Sequence, residues 1–165
     1  MTSVVNQTHL SWPSVAFAAG CVILAAGIGS FATIPNVATW YAGLEKPAFT
    51  PPNWLFGPAW TVLYILMGFS FWRILSLGSD EPGQRLAVTL FLVQLALNAL
   101  WSVVFFGLHS PLYGLIVISA MIMAIVATIF TFWPLDRVAA IVMIPYLAWV
   151  AFATALNLSI FMLNR

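Results

Sequence analysis

The side chains best suited to chemistry in this sequence are amides, phenols and indoles that recur at helical spacing. Gln94, Asn98 and Trp101 are separated by four and then three positions, so an α-helix carries all three on one side. Tyr146, Trp149, Ala153 and Asn157 follow one another at three, four and four, with the small Ala153 leaving a hollow beside the indole. Trp60, Tyr64, Met67 and Phe71 form a third face of the same kind. A cavity walled by indole, phenol and amide suits a flat apolar ligand that carries a few polar atoms. The competing reading is packing, in which amides hydrogen-bond between helices and small residues let backbones approach. The pairs Ala16/Gly20 and Ala25/Gly29 offer such small-residue spacing.

A second concentration of aromatic residues lies outside these faces. Trp40, Tyr41, Phe49, Trp54 and Phe56 occur within one segment that also holds Pro47, Pro51 and Pro52. Proline leaves little backbone freedom to lose on ordering, so the segment reads as a folded cap over a pocket. An interfacial aromatic belt is the alternative. Glu45 and Lys46 are its only charges, and Lys46 is placed to meet a ligand carboxylate there.

Several chemistries have no visible machinery. His9 and His109 are too few and too peripheral for bis-histidine haem ligation, and no clustered ligands suggest a metal. Glu45, Asp80, Glu81 and Asp136 all fall in loops or at the ends of apolar stretches, where an ion-driven transporter would place a carboxylate inside one. No glycine-rich phosphate loop or nucleophile–base pair is present, so hydrolysis is not expected. The lone Cys21 excludes an internal disulfide framework.

These residues must be held by elements that live in lipid. Of 165 residues 63% are hydrophobic and 5% charged, whereas a soluble domain is about 25% charged. A soluble fold of this size exposes roughly 8,000 Å², which so few charges cannot solvate. The net charge of +1 offers no field for nucleic acid. Charges and turn residues divide the chain into five apolar stretches near 13–34, 58–77, 86–106, 111–133 and 136–163, each about the length that crosses a bilayer. The expected fold is all-α, a single integral membrane bundle of five helices over residues 1–165, with the aromatic and proline-rich loop at 35–57.

Pro13, Pro58, Pro82 and Pro111 are expected in first helical turns, with Ser110 as an N-cap. Asp80, Glu81 and Asp136 favour the positive ends of the helices that follow. Arg73 is expected to snorkel to the interface, and Pro145 to kink the last span. Asn6-Gln7-Thr8 matches a glycosylation acceptor and is given no weight. An odd span count puts the termini on opposite sides, with Arg73, Arg85 and Arg137 facing one way and Lys46 and Arg165 the other, a split too even to fix topology.

Three segments carry a family resemblance. WYAGLEKPAFTPPNWLFGPAWTVLY (Trp40 to Tyr64), QLALNALWSVVFFG (Gln94 to Gly107) and PYLAWVAFATALN (Pro145 to Asn157) together resemble the translocator protein / tryptophan-rich sensory protein (TspO/MBR) family, also called the peripheral benzodiazepine receptor family. The resemblance implies a five-helix bundle, commonly a homodimer, with a pocket opening toward the first loop. It implies a receptor or sensor for tetrapyrroles, notably protoporphyrin IX, and for benzodiazepine-type ligands, with the porphyrin as ligand or substrate and no cofactor required. Two alternatives come with it: a light- and oxygen-dependent porphyrin-degrading enzyme, and a lipid or sterol translocator.

Carried over by motif, the pocket comprises Tyr41, Pro47, Trp54, Asn98, Trp149 and Ala153. Trp101 and Tyr146 join them from the spacing argument and Lys46 as the cation of the first loop, and Trp54 and Trp149 would be the indoles involved in any porphyrin degradation. In two places the chain departs from animal members. The tyrosine and basic residue of their sterol motif are missing from Leu158, Ser159, Ile160, Phe161 and Met162, and Tyr113 stands where they begin the fourth span with tryptophan. Short termini and the lack of targeting features point to a bacterial cytoplasmic membrane.

Overall fold

A computed structural model describes residues 11–78 and 81–165. His9, the Asn6-Gln7-Thr8 triplet and Asp80 lie outside the described residues. Among the described residues five helices are long and apolar enough to cross a membrane. They are α1 (Trp12–Val37), α2 (Asn53–Leu75), α3 (Gln84–Ser102, continued by a π-helical turn over Val103–Gly107), α4 (Pro111–Leu135) and a last span divided into α5 (Arg137–Val142) and α6 (Ile144–Leu163). No strand occurs among the described residues. The chain is an integral multi-pass membrane protein. Its outward faces are as apolar as its interior, with Phe31 87% and Phe130 74% exposed, a pattern that only a lipid solvent tolerates.

The helices pack as a closed ring. α1 lies against α2 and α3, α4 against α3 and α6, and α5 against α2 and α4. The half of the bundle away from the first loop is solid. There Phe71 stacks on Phe91 with ring centroids 4.1 Å apart, and Phe91 on Phe132 at 6.1 Å, joining α2, α3 and α4. Ala25 and Gly29 face inward from α1, while Ala16 and Gly20 of the other small-residue pair lie on the exposed surface.

Turn chemistry differs from expectation at three points. α2 begins at Asn53, so Trp54 and Phe56 belong to the helix and the connecting segment shrinks to 38–52. Pro58 is therefore the sixth residue of that helix rather than one of its first turn, and its missing N–H leaves the Trp54 carbonyl without a helical donor. Pro82 and Glu81 sit in the turn before Gly83, whose φ of 89° needs the glycine, and α3 starts only at Gln84. The Gln84 side chain donates to the carbonyls of Ile74 and Leu77, each at 2.9 Å, and so closes the end of α2. At the end of α2 the Arg73 guanidinium is paired with Asp136, at the junction of α4 and α5, which accepts its Nε–H at 2.8 Å. Pro13 and Pro111 do begin their helices, and Ser110 accepts the N–H of Tyr113.

The last span breaks at Met143, two residues before Pro145. Asp136 caps α5 by accepting the N–H groups of Val138 and Ala139. At the break the Met143 N–H bonds to the Ala140 carbonyl, at 3.2 Å, instead of to Ala139. The freed Ala139 carbonyl is taken by the buried Ser70 hydroxyl of α2, which donates to it at 2.8 Å. Ser70→Ala is expected to lower stability by about 1–3 kcal/mol, because a buried carbonyl then has no donor. A thermal midpoint unchanged from wild type in detergent would refute that role.

Candidate functional site

The loop-side half of the bundle is hollow. A cavity of about 600 Å³ lies there, walled by α1, α2, the end of α3 and α6, and roofed by Tyr41. Its size falls within the usual small-molecule range of roughly 300–1,000 Å³. Three indoles line it: Trp60 from α2, Trp101 from α3 and Trp149 from α6. The rings of Trp60 and Trp149 lie 6.4 Å apart and nearly perpendicular, with Phe56 edge-on to Trp149 at 6.0 Å. Ala153 gives the hollow beside Trp149 that the spacing suggested.

The π-helical turn at the end of α3 shapes one wall. Its wider winding sets both Phe105 and Phe106 against the cavity, although they are adjacent in sequence. Trp101 stacks on Phe105 at 5.4 Å, and Phe105 meets Phe106 edge to face at 4.8 Å. The Trp101 indole N–H donates to Asn157 Oδ1 at 3.1 Å, and Asn157 Nδ2 donates to the Pro111 carbonyl at 2.8 Å. One amide of α6 thus fixes both the orientation of an α3 indole and the start of α4.

The floor is a chain of polar groups already bonded to one another. Tyr64 donates to Asn98 Oδ1 at 2.7 Å, Asn98 Nδ2 donates to the Tyr146 hydroxyl at 3.1 Å, and Tyr146 donates to Met121 Sδ at 3.4 Å. Tyr64 faces the cavity, whereas Asn98 and Tyr146 lie behind it at 1% and 0% exposure. These two therefore position the floor rather than touch its contents. Gln94 is fully buried one turn further along α3, and no protein group bonds either end of its amide.

Polar capacity remains in the walls. Neither the buried Tyr41 hydroxyl nor the buried Trp149 indole N–H has a protein partner, although both residues line the cavity. A buried donor without an acceptor is costly in a low-dielectric site, and both polar atoms are enclosed within the walls, so only a shift of the side chain would bring either to an acceptor in the cavity. Burial pushes the Tyr41 phenol above its ordinary pKa, which keeps it a neutral donor.

The remaining sequence-chosen residues lie elsewhere. Trp54 is 72% exposed on the first turn of α2 and takes no part in the cavity, because the early start of that helix turns it outward. Lys46 is committed to its own loop: its ammonium donates to the carbonyls of Ala42 and Leu44 and sits 4.9 Å from the Tyr41 ring centre. Pro47 does not line the cavity either, and its carbonyl closes a turn by accepting from the Thr50 N–H and hydroxyl. Tyr113 is 61% exposed on the outer surface of α4. Sequence reasoning left Trp60 and Tyr64 as one face of a helix without assigning them to the site, and it missed Phe105, Phe106 and the α1 wall. Trp60 and Tyr64 had a usable signal in their spacing; the π turn had none.

Comparison with known proteins identifies relatives of the chain. A sequence model of the TspO/MBR family matches residues 17–163. The chain is 48% identical over 143 residues to the tryptophan-rich protein TspO of Archaeoglobus fulgidus, covering 86% of this chain and 92% of that one. It is 41% identical over 125 residues to the tryptophan-rich sensory protein of Cereibacter sphaeroides, covering 76% and 77%. With the human translocator protein it shares 38% identity over 119 residues, covering 72% and 70%.

Proposed function

This chain belongs to the TspO/MBR family, and from that premise we propose that it is a membrane receptor or sensor whose cavity binds a tetrapyrrole such as protoporphyrin IX. The observation that carries the reading is the convergence of Trp60, Trp101 and Trp149 on one cavity of about 600 Å³. Indole faces offer a flat macrocycle a large apolar contact. The unpartnered Tyr41 hydroxyl and Trp149 N–H, enclosed in the walls, become donors for its polar atoms when the two side chains shift on binding. Asn98 and Tyr146 support this indirectly, since their bonds hold Tyr64 in place. Lys46, held by loop carbonyls, is not assigned to a ligand carboxylate.

The test is a dark titration of purified protein with protoporphyrin IX, read by quenching of tryptophan fluorescence. Wild type is expected to saturate, and Trp149→Phe and Tyr41→Phe to weaken binding by about three- to tenfold, as the loss of one hydrogen bond does. Trp54→Phe is expected to bind as wild type does. Unsaturable quenching, equal in all four proteins, would mean partitioning into detergent and would end the reading.

A second reading, light-dependent breakdown of the bound porphyrin, is favoured by the 6.4 Å separation of Trp60 and Trp149. Two neighbouring indoles that line one cavity are placed to exchange electrons with a photoexcited ligand bound there. It predicts bleaching under illumination in air that is faster than for porphyrin in detergent alone and is slowed in the Trp60→Phe/Trp149→Phe double variant. An unchanged rate in that variant rejects it.

A further inference from the structure

Resting on the reading of the cavity as a ligand site, we propose that its door is lateral: the ligand passes between the loop-side halves of α1 and α2, directly to and from the hydrocarbon of the bilayer. The residues that line the cavity differ sharply in exposure from wall to wall. On α3 and α6, Trp101, Phe105, Ala153 and Asn157 are all buried. On α1 and α2, Ser30, Ile34, Gly57 and Thr61 line the cavity and are exposed. The wall that is least covered by other side chains is where the cavity opens.

The packing of the two helices explains the gap. Deeper in the bundle they touch: a Cβ on Gly68 would meet Val22 at 3.9 Å, and one on Gly29 would meet the Tyr64 hydroxyl at 3.7 Å. Nearer the loop the cavity is lined by residues of both helices, and a Cβ on Gly57 in that lining would meet nothing within 4 Å. The residues along this seam are mostly small, so no bulky side chain fills it.

Depth decides what lies outside the gap. Ser30 is seven residues from the end of α1 and Thr61 eight from the start of α2, hence about 10–12 Å inside the span at 1.5 Å per residue. With a hydrocarbon core of about 30 Å, the seam faces acyl chains rather than water. The aqueous end is closed by comparison. Asn164 clasps the loop from the end of α6, its Oδ1 accepting the Glu45 N–H and its Nδ2 donating to the Glu45 carbonyl, each at 2.9 Å. Below that clasp Tyr41, 4% exposed, roofs the cavity. A flat amphiphile that partitions into membranes therefore meets an open side and a tied lid.

The experiment uses full-length protein in phosphatidylcholine vesicles. Ser30→Phe and Thr61→Phe place a ring in the seam at two exposed positions, so either variant can serve if the other folds poorly. Protoporphyrin IX dissolved in the lipid is expected to associate and dissociate about tenfold more slowly in both, since both steps cross the same gap. Asn164→Ala, which releases the loop, is expected to leave the rates at the wild-type value. Acceleration by Asn164→Ala together with indifference to the seam rings would overturn the proposal in favour of passage under the loop.

A second readout needs no porphyrin. Benzoylphenylalanine in place of Trp60, irradiated in the same vesicles, is expected to capture an acyl chain, and Ser30→Phe to suppress that adduct. No lipid adduct, or an adduct to a second copy of the chain, would overturn the lateral door whatever the porphyrin titration gives. A lipid adduct with unsaturable porphyrin quenching would instead leave the door standing and remove the tetrapyrrole.

Discussion

Asn157→Leu is expected to lower stability by about 2–3 kcal/mol and to abolish ordered binding in the cavity. The amide makes two bonds to two other helices, accepting from the Trp101 indole at 3.1 Å and donating to the Pro111 carbonyl at 2.8 Å. Leucine fills a similar volume and makes neither bond. The Pro111 carbonyl keeps its place in the first turn of α4, but the Trp101 N–H is left buried without an acceptor, a loss of about 1–3 kcal/mol. Hydrogen bonds between membrane helices average only about 0.6 kcal/mol where the unfolded state finds other partners, so the orphaned donor is the larger effect. A double-variant cycle separates the two. Trp101→Phe removes that donor, and Asn157→Leu in the Trp101→Phe background is therefore expected to cost about 1 kcal/mol or more less than in wild type. Strict additivity of the thermal midpoints would show that the pair is merely adjacent.

The same residues show what was legible in the sequence. Helical spacing put Asn98 beside Trp101 and Tyr146 beside Trp149, Ala153 and Asn157, and the fold does place these faces toward one another. In lipid the only signal that distinguishes inside from outside is polarity and size, because apolar residues serve both faces equally well. Amide and indole positions were readable for that reason. Depth along the face was not. Asn98 and Tyr146 share faces with Trp101 and Trp149 yet sit behind the floor, a distinction that depends on Tyr64 of α2 standing between them and the cavity and not on any periodicity.

Helix starts account for the other differences. The double proline Pro51-Pro52 fixes an extended entrance, with Pro52 at ψ 141°, and α2 then begins at once at Asn53. Reading Pro58 as the start moved Trp54 into the loop by mistake, and with it onto the wrong side of the wall. By sequence alone Lys46 is a loop charge open to a ligand carboxylate. Inside a short loop with free carbonyls at Ala42 and Leu44, an ammonium finds its partners in its own backbone. Phe105 and Phe106 were hidden because a π turn is a local change of winding that the surrounding α-helical pattern does not announce.

That turn makes Gly114 the most sensitive position for the cavity itself. A Cβ there would stand 2.9 Å from Phe105 Cδ2, 3.0 Å from Asn157 Oδ1 and 3.2 Å from Phe105 Cβ. None of these neighbours is free to give way. Phe105 is stacked on Trp101 and held by the π turn, and Asn157 is bonded at both ends of its amide. Gly114→Ala is accordingly expected to destabilise by about 1–3 kcal/mol through overpacking, and Gly114→Leu to prevent folding. In the alanine variant the strain has one outlet: Phe105 can move only toward the empty side, into the cavity. Porphyrin affinity is then expected to fall by more than tenfold while the thermal midpoint drops only modestly, since 1.4 kcal/mol already corresponds to a factor of ten in binding. Phe105→Leu in the same background removes the colliding ring atom and is expected to recover both. Loss of stability without loss of affinity, or no recovery by Phe105→Leu, would mean that α4 itself shifts away and that the cavity wall is softer than the tight contacts at Gly114 imply.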